Sequence, residues 1–291
     1  MKHKKSISVL VILIILLSTI ACAAGLFWSG EATEKEFQAI TGERVKVLGE
    51  GLYKNDSLSV ASQGKASDFI TLFLAIPLMS ISLTAAIRGS FRGRLFLSGT
   101  LGYFLYTYMS YTFLWTYNRF FIVYVFLMSL SFFAFILCLT GFDIQNMPSM
   151  FKKKLPVKIL GGFQLFIAFM IGILWLSKIA PSILNDAVPA GLEHYTTLVI
   201  QGMDLGFVVP TAALSGILLI KRRPLGYLLS SIIILKGITM LTAISAMIVN
   251  MSLNGVEINS IEAVIFPVFN VLAVICLVIL IKNTEKKAEA I

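Results

Sequence analysis

Apolar and polar positions along this chain come in blocks rather than in alternation. Eight long apolar runs, at roughly 7–28, 68–87, 95–115, 119–141, 158–179, 198–220, 225–249 and 263–281, are parted by short polar stretches. Most reach the roughly 20 residues that cross about 30 Å of hydrocarbon as a helix. Stretches such as 171–176 and 232–235 are continuously apolar, which excludes the alternating strands of about 10 residues that build a transmembrane barrel. The pattern predicts an all-α, polytopic helical membrane protein with eight transmembrane helices. It divides the chain into a first helix or signal anchor at 1–28, an extracytoplasmic segment at 29–67 and helices two to four over 68–141. A basic loop at 142–157, helices five to eight over 158–281 and a tail at 282–291 follow. The first run has a second reading. Lys2, Lys4 and Lys5, an apolar core and Ser18-Thr19-Ile20-Ala21-Cys22 resemble a cleavable signal peptide, and cleavage would leave seven spans.

Within 29–67 the stretch Phe37-Gln38-Ala39-Ile40-Thr41, Gly42-Glu43 and Arg44-Val45-Lys46-Val47-Leu48 does alternate, as a short β-hairpin does. Such a hairpin is marginal alone in water, so it is expected to pack on the helix ends, as a capping loop or as a lid over a binding site.

Composition supports this reading. Apolar residues make up 57% of the 291 positions and charged residues 13%, against about 25% charged in soluble domains. The net charge of +9 is set by location. Arg88, Arg92 and Arg94, then Lys152, Lys153, Lys154 and Lys158, then Lys221, Arg222 and Arg223, and finally Lys282, Lys286 and Lys287 mark every second connection. The intervening connections carry Asp186, Glu193, Glu257 and Glu262. Under the positive-inside rule this puts both termini in the cytoplasm and favours a plasma membrane location. The basic residues are accounted for by orientation and anionic lipid, so no nucleic-acid partner is expected. The lipid bilayer is the expected partner, with an unidentified small solute or ion, or an unidentified membrane protein. Cys22, Cys138 and Cys276 lie inside apolar runs at no metal-ligand spacing, and no metal or cofactor is expected.

A weak repeat joins the two halves. Pro77 and Arg88 are spaced as Pro210 and Lys221 are, and Leu101-Gly102-Tyr103 matches Leu225-Gly226-Tyr227 once a gap is allowed. The halves are then tandem units related by a pseudo-two-fold along the membrane normal. Alternatively, prolines and edge arginines simply recur in membrane helices.

Charges inside apolar runs are costly, and each needs a partner or a purpose. In the sixth run Thr197, Gln201, Asp204, Val208, Thr211 and Ser215 recur at intervals of four and three, one stripe of a helix. Gly202 and Gly206 are spaced for close approach of a neighbouring helix. The seventh run holds Lys236, with Thr239 a turn on. Counting 1.5 Å per residue puts Lys236 roughly 17 Å from its basic end and Asp204 roughly 10 Å from the opposite edge. The two are expected to pair, directly or through water. That pair reads as a ligand or ion site or as a helix-locking ion pair. Tyr103 and Tyr106 are candidates to line a polar cavity beside it or to pack in the core. Arg119, Asp186, Glu193 and His194 form a candidate polar cluster on the outer face. No phosphate-cradling loop, GxSxG or paired-aspartate motif is present, so no catalytic residue is assigned.

Gly42-Glu43, Leu48-Gly49-Glu50-Gly51-Leu52-Tyr53, Tyr117-Asn118-Arg119-Phe120-Phe121 and Arg222-Arg223-Pro224-Leu225-Gly226-Tyr227 resemble segments of a family of prokaryotic multi-span membrane proteins to which no activity is assigned. The resemblance runs over most of the chain and implies a prokaryotic plasma membrane. These features together point to a small-solute or ion permease-like protein, with a non-catalytic sensor or accessory subunit as the alternative.

Overall fold

A computed structural model describes residues 2–30 and 35–285. Lys286 and Lys287, counted above for the tail, lie outside the described residues, as does Glu34. Eight long helices carry the fold: α1 (Lys4–Phe27), α2 (Leu58–Ile87), α3 (Phe91–Phe113), α4 (Phe121–Thr140), α5 (Val157–Asn185), α6 (Val199–Ile220), α7 (Pro224–Leu253) and α8 (Ser260–Lys282). Seven of them are long and apolar enough to cross a membrane, and the chain is a polytopic helical membrane protein. The eighth, α3, is of spanning length but less apolar, with Arg92, Arg94 and a row of tyrosines. It tolerates that polarity because it is enclosed by α2, α4 and α7, with Leu97, Leu101, Tyr103 and Phe104 fully buried. Outer helices turn apolar side chains outward instead, such as Ile12 and Leu16 on α1 and Val264 and Val271 on α8. Such a continuous apolar exterior is tolerable only against lipid.

The hairpin is present: β1 (Glu36–Gln38) pairs antiparallel with β2 (Arg44–Lys46), with Phe37 opposite Val45. Its turn needs Gly42 at φ 86°. Helix α1 is part of the core. Ile7, Val11 and Ile14 are fully buried, and Gly25 gives room to Asp68, whose Oδ2 a Cβ there would meet at 1.8 Å. Helix α2 begins at Leu58, well before its apolar run, capped by Ser57 accepting from the Val60 amide at 3.1 Å.

The two halves repeat, in a register that needs no gap. A single constant offset pairs Pro77 with Pro210, Arg88 with Lys221 and Gly93 with Gly226. A π-helical segment precedes each proline, Thr71–Ala75 in α2 and Asp204–Val208 in α6. Proline cannot donate to the preceding turn, and the wider coil relieves the clash. The turn after each helix is the same. Arg88, Gly89 and Ser90 amides bond to Thr84, Ala86 and Ala85 carbonyls, and Lys221, Arg222 and Arg223 amides to Ile217, Leu219 and Leu218. Gly89 and Arg222 both take positive φ, 86° and 53°. A Cβ on Gly93 would meet Ala86 N at 2.7 Å, and one on Gly226 would meet Leu219 N at 2.4 Å. The match drawn above between Gly102-Tyr103 and Gly226-Tyr227 is therefore corrected: Gly93 is the counterpart of Gly226, and Tyr103 is the counterpart of Lys236.

The halves share their internal contacts α1–α2 with α5–α6, α2–α3 with α6–α7 and α3–α4 with α7–α8, while α3 and α7 pack on each other at the centre. They differ across the centre. Helix α2 lies along α7, but its counterpart α6 barely touches α3.

Candidate functional site

That difference leaves a cavity of about 550 Å³ between α2, α3, α5, α6, α7 and α8. It runs from a mouth at residues 190–198 and 256–259, the end away from the basic turns, to a floor that holds Asp204 and Lys236 and continues down to Phe163, Gln164 and Ala212. Its upper walls include Ser59 and Gln63 from the polar first turns of α2.

At the floor, Asp204 accepts the Tyr106 hydroxyl at 2.7 Å on Oδ1 and the Trp175 indole N–H at 2.8 Å on Oδ2. The Lys236 ammonium sits 4.1 Å from the centre of the Tyr106 ring, where the ring's negative face attracts it. No carboxylate among the described residues lies within 4.0 Å of it. Asp204 and Lys236 thus share one site, but Tyr106 stands between them and they form no direct ion pair. The counterparts in the first half, Thr71 and Tyr103, do bond directly at 2.8 Å and are sealed from solvent.

Of the residues named from the sequence for this site, Asp204, Lys236, Gln201 and Tyr106 line the cavity. Tyr103 and Thr239 do not: Tyr103 turns to Thr71, and the Thr239 hydroxyl donates back to the Leu235 carbonyl at 3.2 Å. The stripe on α6 also slips. Thr197, Gln201, Asp204 and Val208 face the cavity, but Ala212 follows in place of Thr211, because the π segment inserts an extra residue per turn. Gly202 and Gly206 admit no neighbour, with nothing within 4 Å of a Cβ at either. The close approach is made by Gly161 and Gly216, where a Cβ on each would meet the other's carbonyl oxygen at 2.7 Å.

Trp175 and Gln164 were not legible as site residues. Gln164 reaches Ser215, whose hydroxyl donates to its amide oxygen. A tryptophan and a glutamine in an apolar run read as packing until a partner is known. Asp68 on α2 is a second acid held inside the bundle. It is 3% exposed and accepts the Tyr53 hydroxyl at 2.6 Å and the Tyr111 hydroxyl at 2.9 Å. Tyr111 thereby serves inside the bundle.

The outer polar residues do not meet at one point. Arg119 lies over the Trp28 ring, 5.9 Å from its centre. Asp186 ends α5 in a left-handed conformation, and Glu193 lines the mouth. His194 bonds the Asn55 carbonyl at 3.0 Å and packs between Tyr195 and Phe37. These last contacts fasten the hairpin segment to the mouth. Asp56 completes the clamp by accepting the Thr116 amide at 2.8 Å and the Tyr195 hydroxyl at 3.1 Å. Burial pushes its carboxyl up to about 7, against the pull of those donors. Burial also raises Glu193 and lowers His194. Among the described residues no group of three His, Cys, Asp or Glu side chains is placed to hold a metal. No protein-family model, curated protein or solved structure matches the chain.

Proposed function

We propose that this protein is a permease-like membrane protein of the prokaryotic plasma membrane, and that it admits a small solute to the cavity between its halves. The supporting observation is the cavity itself, which brings a route from one end of the bundle to a charged floor within it. A charged floor is expensive inside a bilayer unless something binds there or passes. In this reading the basic turns face the cytoplasm and the mouth opens to the outside. The tandem halves supply the two bodies that rock against each other about the α3–α7 contact.

A sensor is the second reading, favoured by the clamp of Asp56 on Thr116 and Tyr195 at the cavity mouth. One experiment separates the two. In a cysteine-free background, Gln201→Cys is treated with a charged, membrane-impermeant thiol reagent on sealed right-side-out and inside-out vesicles. A permease is modified from both sides, faster from the mouth side. Modification from the mouth side alone favours the sensor, and none from either side rejects a wet cavity.

A further inference from the structure

The cavity floor sets an unpartnered ammonium beside a carboxylate that already has two donors. Both oxygens of Asp204 receive a donor, from Tyr106 and Trp175, and the Gln164 oxygen receives the Ser215 hydroxyl. Lys236, in contrast, has no hydrogen-bond partner among the described residues, and its half-buried side chain lines the cavity. The Gln201 amide, one turn from Asp204, is also without a partner among the described residues and also lines the cavity. An occupant that satisfies this floor has to bring acceptors. A ligand with donors alone would leave the ammonium bare.

The walls decide the rest of the ligand. Above Lys236 they are largely apolar, with Ile171, Leu174, Met240, Ile244 and Met247 among them. A fully hydrated inorganic anion would leave that surface against water, whereas an apolar body covers it.

We propose that the cavity takes a hydrophobic monoanion, an organic carboxylate whose charged end sits on Lys236 and Gln201 and whose aromatic or short aliphatic body lies along these walls. This rests on the reading of the cavity as a solute site. A seated carboxylate would approach the ammonium to about 2.8 Å, inside the more than 4.0 Å that separates the ammonium from Asp204. The mouth does not concentrate anions, since Glu193 and Glu257 line it and Lys178 is engaged by Glu262. Selection is made at the floor.

The test uses three probes of one shape in the full chain reconstituted in nanodiscs, with lipid-only discs subtracted: phenylacetate, phenethylamine and phenylethanol, each radiolabelled. Phenylacetate is expected to bind saturably and about tenfold more tightly than phenylethanol, one charge-assisted contact's worth. Lys236→Arg retains that preference, and Lys236→Met brings phenylacetate down to the affinity of the alcohol. If phenethylamine or phenylethanol binds as tightly as phenylacetate to the unaltered protein, the anion inference is wrong while the solute cavity stands. If none of the three binds above lipid alone, the solute cavity falls with it. Because the comparison among probes is made on the unaltered chain, it holds even if Lys236→Met does not fold.

Discussion

At the scale of the residue, Tyr106 organises the site with two different parts of its side chain. The hydroxyl answers Asp204 and the ring face holds Lys236. Tyr106→Phe removes the first and keeps the second. It is expected to cost about 1.5–3 kcal/mol, the range for a hydrogen bond to a charged group, measured by denaturant unfolding in detergent micelles. Tyr106→Leu removes both and is expected to cost more. Equal losses for the two would show that the ring face contributes nothing. Asp56 gives a pH dependence outside the spans. Its folded value near 7 lies above the ordinary carboxylate value of 3.8, so the folded state binds the proton more tightly than the unfolded one. Stability from this group is then fully present below about 4, declines as pH rises, and levels off above about 7. Hydrogen exchange of residues 35–57 is expected to quicken between acidic and neutral pH beyond its intrinsic rise. Asp56→Asn keeps an acceptor for Thr116 and Tyr195 and is expected to abolish that excess. Asp204 and Lys236 were legible in the sequence because charges stand out in apolar runs. Of their partners Tyr106 was named as a candidate cavity residue, but Trp175 was not, because a tryptophan is an ordinary residue for a membrane helix.

At the scale of the element, glycines separate real contacts from apparent ones. Gly93→Ala and Gly226→Ala each drive a Cβ into the backbone of the preceding helix. Each is expected to destabilise the bundle by about 2 kcal/mol or more. Gly202→Ala and Gly206→Ala meet nothing within 4 Å and are expected to fall within about 0.5 kcal/mol of the parent. Thermal unfolding of the four variants side by side tests this, and a loss at Gly206 equal to that at Gly226 would contradict it. The spans themselves were well marked by apolar run length. Their ends were not: the Ser-, Gln- and Lys-bearing start of α2 looks like loop until it is seen to line a cavity. The π segments were invisible, since only the hydrogen-bonding register distinguishes them, and they displaced Thr211 from the expected stripe.

At the scale of the whole molecule, the two halves share most of their joints but not the same posture, and α1 lies along α4 where α5 and α8 stand apart. The tandem arrangement could be suspected from Pro77, Arg88, Pro210 and Lys221, because spacing survives where side-chain identity does not. The asymmetry could not, because it lies in how α2 and α6 lean, and no local pattern encodes that. Yet the first half supplies a working drawing of the second. If α6 came to rest on α3 as α2 rests on α7, Asp204 would meet Lys236 as Thr71 now meets Tyr103, at 2.8 Å, and the chamber would vanish. Spin labels on the mouth ends of α3 and α6, read by pulsed dipolar spectroscopy, would report that movement as a shortened distance on addition of a bound probe. Thr71 and Tyr103 thus hold in one half the closed form of a contact that stands open between Asp204 and Lys236 in the other.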